Sequence, residues 1–164
     1  MMVEKYGFGV HQITLLLLTN FLINIFMAPL IGRFIEKFGE RVSLIVEYTG
    51  LTVIFLLYAG LYYFDWTYIV ASILFIADHM FFGLAFAMKT YFQKIADSED
   101  FAPTAAVAFT INHISAIFLP VFLGYVWINN NSAVFYIAAI LSFFSLLVSL
   151  LIPRFPCKGK ESIL

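Results

Sequence analysis

Asp78 and His79 lie side by side near the middle of one long apolar run, and Asn112 and His113 near the middle of another. Asn20 and Asn24 sit mid-way along a third, and their i,i+4 spacing puts both on one face of a helix. An acid next to an imidazole is a proton-handling combination. Histidine changes charge near neutral pH, and a carboxyl shielded from water can hold its proton. The six residues are therefore candidates for a polar site that binds a solute, carries a proton, or does both, with Asp78 and His113 at its centre. A structural reading stands beside this one. Polar groups in apolar helices also bond across helices as simple glue, at about 0.6 kcal/mol each, and the Asn pair reads first in that way. His79 is the weaker partner of its pair, because adjacent helical positions point about 100° apart.

The elements that carry these residues are five apolar runs: Gln12–Ile31, Val42–Tyr63, Thr67–Met88, Thr104–Trp127 and Ser132–Ile152. A hydrocarbon layer of roughly 30 Å needs about 20 apolar residues in a helix. The chain has 164 residues, 63% hydrophobic and 12% charged, with a mean hydropathy of +0.97. A soluble domain carries about 25% charged residues, so lipid must solvate much of this surface. The expectation is an all-α, polytopic membrane bundle of five transmembrane helices, forming one domain over residues 1–164 with a short tail at 153–164. An Asp at the centre of such a helix costs roughly 2.5–3.5 kcal/mol on insertion scales. Asp78 should therefore face the bundle interior or water and have a partner, for which His113 and His79 are the candidates.

Charge sets the expected orientation. Of nine basic residues, all but Lys5 fall in the gaps after the first, third and fifth runs: Arg33, Lys37 and Arg41; Lys89 and Lys94; Arg154, Lys158 and Lys160. The positive-inside rule makes that side cytoplasmic, with the N-terminus outside and the C-terminus inside a plasma membrane. Tyr62, Tyr63, Trp66, Tyr68, Tyr125 and Trp127 gather at the opposite end, where amphipathic rings sit at headgroup level. The start of the chain lacks a basic region before its apolar run, so a cleaved signal is not expected. Net charge is −1, which gives no support to nucleic-acid binding, and the single Cys157 excludes an intrachain disulfide.

Prolines and glycines punctuate the runs. Pro29 is expected to bend the first, Pro103 to start the fourth, Pro120 to kink it, and Pro153 and Pro156 to stop the fifth. Asp97, Glu99 and Asp100 read as a solvated acidic loop. Glu47, about one turn inside the second run, is expected to pair with Arg41 or Lys89. Gly83 and Ala87 form a small-xxx-small face on the third run, suited to close packing against another bundle.

The sharpest motif is Gly32-Arg33-Phe34-Ile35-Glu36-Lys37-Phe38-Gly39-Glu40-Arg41, between the first two runs. Gly32 would permit close packing at the helix end. Gly39 would permit the tight turn that sends the chain back. Glu36 offers a fixed negative charge, and Lys37 and Arg41 would hold the loop inside.

This stretch resembles the cytoplasmic loop motif of the major facilitator superfamily, G-x-x-x-D-[RK]-x-G-[RK]-[RK]. Gly32, Glu36, Lys37, Gly39 and Arg41 occupy matching positions, with Glu for Asp. Glu40 departs, placing an acid where the family usually has a base. The family carries the motif after its second helix and more loosely after its eighth. The departure, the short basic tail and the lead-in Tyr6–Thr14 are more similar to the eighth. The third run lacks the Arg usual in the fourth helix, and the fourth run lacks the glycine-proline motif of the fifth. The stretches Glu40–Gly50, Lys89–Asp97 and Phe109–Ile114 also look like less characterised bacterial and archaeal members.

The resemblance implies helices eight to twelve of a secondary transporter, in which two six-helix halves rock around a midplane site. It implies transport of a small solute, with proton coupling possible, and no cofactor. The motif's acid packs against the opposite half in that family, so Glu36 would need a partner from a missing N-terminal half or a second membrane chain. A truncated frame, a split transporter and a dimer all fit this expectation. The competing reading is a non-transporting remnant or accessory subunit that pairs with another helical bundle. An enzyme is not expected: no H-E-x-x-H is present, and the two His and one Asp have no diagnostic metal spacing. No Arg or Lys lies deep in a run, which points to a neutral, cationic or apolar solute.

Overall fold

A computed structural model describes residues 1–163 and is all-helical. A short α1 (Met2–Tyr6) precedes α2 (Val10–Phe38) and α3 (Glu40–Gly60). The third span is α4 (Tyr68–Phe82), a 3₁₀ turn at Gly83–Ala85, and α5 (Phe86–Ile95). A second 3₁₀ turn at Ser98–Asp100 leads into α6 (Phe101–Asn129), and α7 (Asn131–Ser149) follows. Five helical segments are long and apolar enough to cross a membrane.

The helices outrun the apolar stretches at several ends. The α2 helix passes through Pro29 and continues to Phe38. The α6 helix passes through Pro120. Pro103 falls in the first turn of α6, where no intrahelical donor is needed. The α7 helix stops at Ser149, before either Pro153 or Pro156 is reached.

A single residue joins α2 to α3. Gly39 has φ 85° and ψ 166°, a conformation essentially restricted to glycine. Its N–H donates to the Ile35 carbonyl at 2.8 Å, and its own carbonyl accepts from the Ser43 hydroxyl at 2.8 Å. The turn expected at this glycine is thus the sharpest possible link between antiparallel helices.

The centre of the bundle is α3. Its buried residues Glu40, Leu44, Glu47, Leu51, Ile54 and Tyr58 recur at alternating steps of four and three, one inward stripe. The most extensive packing is against α7, whose buried residues Ser132, Ala139, Ser142 and Ser149 are all small. Small side chains let two membrane helices approach closely. The Ser142 hydroxyl consequently reaches the Tyr48 carbonyl at 3.1 Å. At the aromatic end, Tyr58 stacks on Phe135 at 5.1 Å and Tyr63 bonds Ser132 at 3.1 Å. Asn130 caps α7, accepting from the backbone of Ser132 and Ala133.

Two expected glycine contacts come out differently. A side chain on Gly32 would meet nothing within 4 Å, because Gly32 faces out while Ile31 and Ile35 of the same helix enter the core. Close packing occurs instead at Gly83, where a Cβ would stand 2.6 Å from Ile31 Cδ1. Leu84 and Ala87 join Ile31, Ile35, Leu44 and Ile152 in one core cluster. The small face on the third span is therefore consumed inside the chain, against α2, and is not offered to another bundle.

Gly50 is tighter still. A Cβ there would lie 2.4 Å from two ring carbons of Phe81. Gly50→Ala is expected to destabilise the bundle by about 1–2 kcal/mol through overpacking. Phe81→Leu in the same background should recover part of that loss. Thermal unfolding of the purified single and double variants checks this, and strictly additive effects would remove the contact as the cause.

Candidate transport site

The predicted polar residues divide between two environments. Asp78 is partly buried on α4, its side chain 25% exposed, with His79 Nδ1 3.8 Å from its Oδ2. That distance is an electrostatic contact, too long for a hydrogen bond. His79 Nδ1 instead sits 2.9 Å from the Phe75 carbonyl. A carbonyl only accepts, so this nitrogen must carry a proton. The His79 ring lies over Phe75 at 4.6 Å.

His113 repeats the arrangement on α6. Its Nδ1 donates to the Phe109 carbonyl at 2.9 Å, and its ring lies 3.8 Å from that of Phe109. Asn112 and His113 are both exposed, and no residue of α6 is buried. The α6 helix rests on α7 and on the turn at Ser98–Asp100. The structure therefore does not bring His113 to Asp78. The acid's imidazole neighbour is His79.

On α2, Asn20 is buried, and Asn24 donates to both its side-chain and backbone oxygens at 3.1 and 3.0 Å. The pair satisfies itself along one helix, as the i,i+4 spacing requires. Asn24 also opens onto a cleft of about 720 Å³ between α2 and α5, lined further by Gly32, Glu36, Glu40, Thr90, Gln93 and Lys94. The motif glycine that lacks a packing partner thus forms part of a concave wall.

The loop motif holds an ion pair that the sequence did not disclose. Glu40 is buried at 2% exposure and meets Lys94 Nζ at 2.6 Å. The acid that departs from the family pattern is answered by a base on α5, across the mouth of the cleft. Its signal was present: Glu40 stands four residues before Leu44 and seven before Glu47, in register with the inward stripe. Glu36 is exposed and forms no ion pair among the described residues. Lys37 is exposed with its ammonium 5.2 Å from the Phe38 ring, and Arg41 is partly buried. Glu47 corrects its expectation. It is buried, its Oε2 has no hydrogen-bond partner among the described residues, and neither Arg41 nor Lys89 reaches it. Both lie near the rim of the bundle, while Glu47 points into the seam.

The ends of the chain seal both ends of the bundle. At the basic end the tail folds back: Lys158 pairs with Asp97, and the Tyr91 hydroxyl donates to the Glu161 carbonyl. At the aromatic end α1 is tied by Tyr6 to the Trp66 carbonyl at 3.1 Å and by Glu4 to Trp127 Nε1 at 2.8 Å.

This arrangement has five helices long and apolar enough to span a membrane, a glycine-pinned turn carrying the loop motif, and polar groups near the middle of three of those helices. The Major Facilitator Superfamily model matches residues 1–162. The chain belongs to that superfamily. Neither the curated proteins nor the solved structures include one that matches it. Major facilitator proteins are transporters and not enzymes, so the chain is a multi-pass membrane protein of transport function. No group of His, Cys, Asp and Glu among the described residues could hold a metal ion.

Proposed function

We propose that α2 to α7 form the helix-eight-to-twelve portion of a secondary transporter for a small neutral, cationic or apolar solute, driven by protons, with the basic end facing the cytoplasm. The observation that carries this reading is the exposure of Asn112 and His113 in the middle of α6. Asn112 makes no side-chain hydrogen bond among the described residues. Such groups are costly against hydrocarbon and belong on a bundle interior or a water-filled cavity. Further helices outside these five would then complete the cavity, with Asp78, His79 and the Asn20–Asn24 pair as candidate solute or proton groups. The accessory-subunit reading has less support, because the Gly83–Ala87 face it relied on is already packed against Ile31.

Cysteine chemistry tests this directly. Cys157 is the only cysteine and is exposed. In a Cys157→Ser background in native membranes, Asn112→Cys should react with a water-soluble maleimide at least tenfold faster than Ile117→Cys on the same helix. Equal and slow reaction at both positions would place α6 wholly in lipid and overturn the proposal. Labelling of the unmodified Cys157 only after the membrane is opened checks the orientation.

A further inference from the structure

We infer that Glu47 is a proton-binding site separate from Asp78: a carboxyl held neutral within the α3 seam, releasing its proton to water when that seam opens. This goes beyond the transport reading and does not depend on which solute is carried. Glu47 lies seven residues inside α3 from Glu40, roughly 10 Å along the axis at 1.5 Å per residue. It is 2% exposed, and its Oε2 has no hydrogen-bond partner among the described residues. A buried carboxylate without a cation or donors is far costlier than the neutral acid, so such a group takes up a proton instead of staying charged.

The surroundings supply no counter-charge. The α7 helix, the most extensive neighbour, has Tyr136 as its only titratable side chain, and that residue is exposed near the far end. Between His11 and Arg33, α2 has no titratable residue. On α4, Asp78 is matched with His79, and Tyr68 lies at the aromatic end. On α5, Lys94 is taken by Glu40, while Lys89 and Tyr91 make no bond to Glu47. Tyr48 and Tyr58 on α3 itself carry no charge at neutral pH. The other core glutamate, Glu40, already has its lysine, which leaves Glu47 as the buried acid without one.

A route for the proton exists in outline. The cleft beside α2 reaches Glu40, two turns from Glu47 on the same stripe. Separation of α3 from the third span would extend that water to Glu47. The carboxylic acid would then become carboxylate and pass its proton to solvent. Reclosure would require the proton back. Glu47 thus ties proton occupancy to the packing of the central helix, while Asp78 stands on a different span.

Infrared spectroscopy of the full chain in lipid at neutral pH tests this. Glutamate labelled with ¹³C in its side-chain carboxyl should shift one carbonyl band of a protonated acid. That band should vanish in Glu47→Gln and persist in Asp78→Asn. A spectrum with no protonated-acid band that follows the glutamate label overturns the inference, as does a band that persists in Glu47→Gln. The isotope shift on the unsubstituted chain decides the matter even where Glu47→Gln fails to fold, because exposed glutamates are ionised at neutral pH.

Discussion

Asp78→Asn is expected to reduce proton-driven solute movement to the level of empty vesicles while leaving the amount of chain in the membrane unchanged. Asparagine keeps the shape and hydrogen-bonding capacity of aspartate but has no titrating proton. It is also cheaper than an acid inside a bilayer, so insertion should not suffer. The environment of Asp78 sharpens the expectation. It is a partly buried acid on α4 whose imidazole neighbour, His79, has its Nδ1 bonded to the Phe75 carbonyl. With that nitrogen occupied, His79 cannot take over the proton of Asp78 through the same atom. The measurement is proton uptake by native membrane vesicles containing the chain, followed with an internal pH dye across a panel of neutral and cationic solutes. Unchanged proton-coupled movement in Asp78→Asn would remove Asp78 from the proposed role. His79→Asn should have a smaller effect, altering the rate without eliminating the pH dependence.

The sequence was most legible where one rule dominates. Five apolar runs require five spans whatever their packing, and Gly39 follows from the need to reverse the chain within one residue. Helix ends were harder, since polar residues such as Arg33 and Lys37 continue α2 beyond the apolar run without being forced out of helix. Contacts between spans were hardest. The mid-helix positions of Asp78 and His113 were readable by counting, but which helices are neighbours was not, and α6 makes its contacts with α7 and the turn at Ser98–Asp100. Gly32, Gly50 and Gly83 illustrate the same limit. All three are small residues on spans, yet Gly32 faces open space while Gly50 and Gly83 meet Phe81 and Ile31. The facing direction of each depends on partners hundreds of atoms away in the chain. The two glutamates of α3 were legible in principle, because their seven-residue spacing matches the apolar stripe. Glu47 was expected to pair with Arg41 or Lys89 and Glu40 stood out only as a departure from the loop motif, whereas the stripe carries both inward.

Lys94→Ala is expected to destabilise the bundle by about 2–3 kcal/mol, whereas Glu40→Gln should cost less than about 1 kcal/mol. The asymmetry comes from burial. The Glu40 side chain is 3% exposed and that of Lys94 is 52% exposed. Removing the lysine leaves a buried acid that must take up a proton or stay charged without a partner, either of which costs stability, while removing the acid leaves an ammonium that water still solvates. The value lies below the 3–5 kcal/mol of a fully buried pair because the half-exposed partner is screened. Exchanging the charges provides the specific test. Glu40→Lys alone should be the most damaging variant, since it sets two ammonium groups where the 2.6 Å contact now lies. Adding Lys94→Glu should recover more than half of that loss. Unfolding of the four proteins in one detergent gives the coupling energy as a double-mutant cycle. A coupling near zero would mean that the pair is incidental. A large one would identify it as the clasp between the α2–α3 turn and α5, both of which line the cleft beside α2.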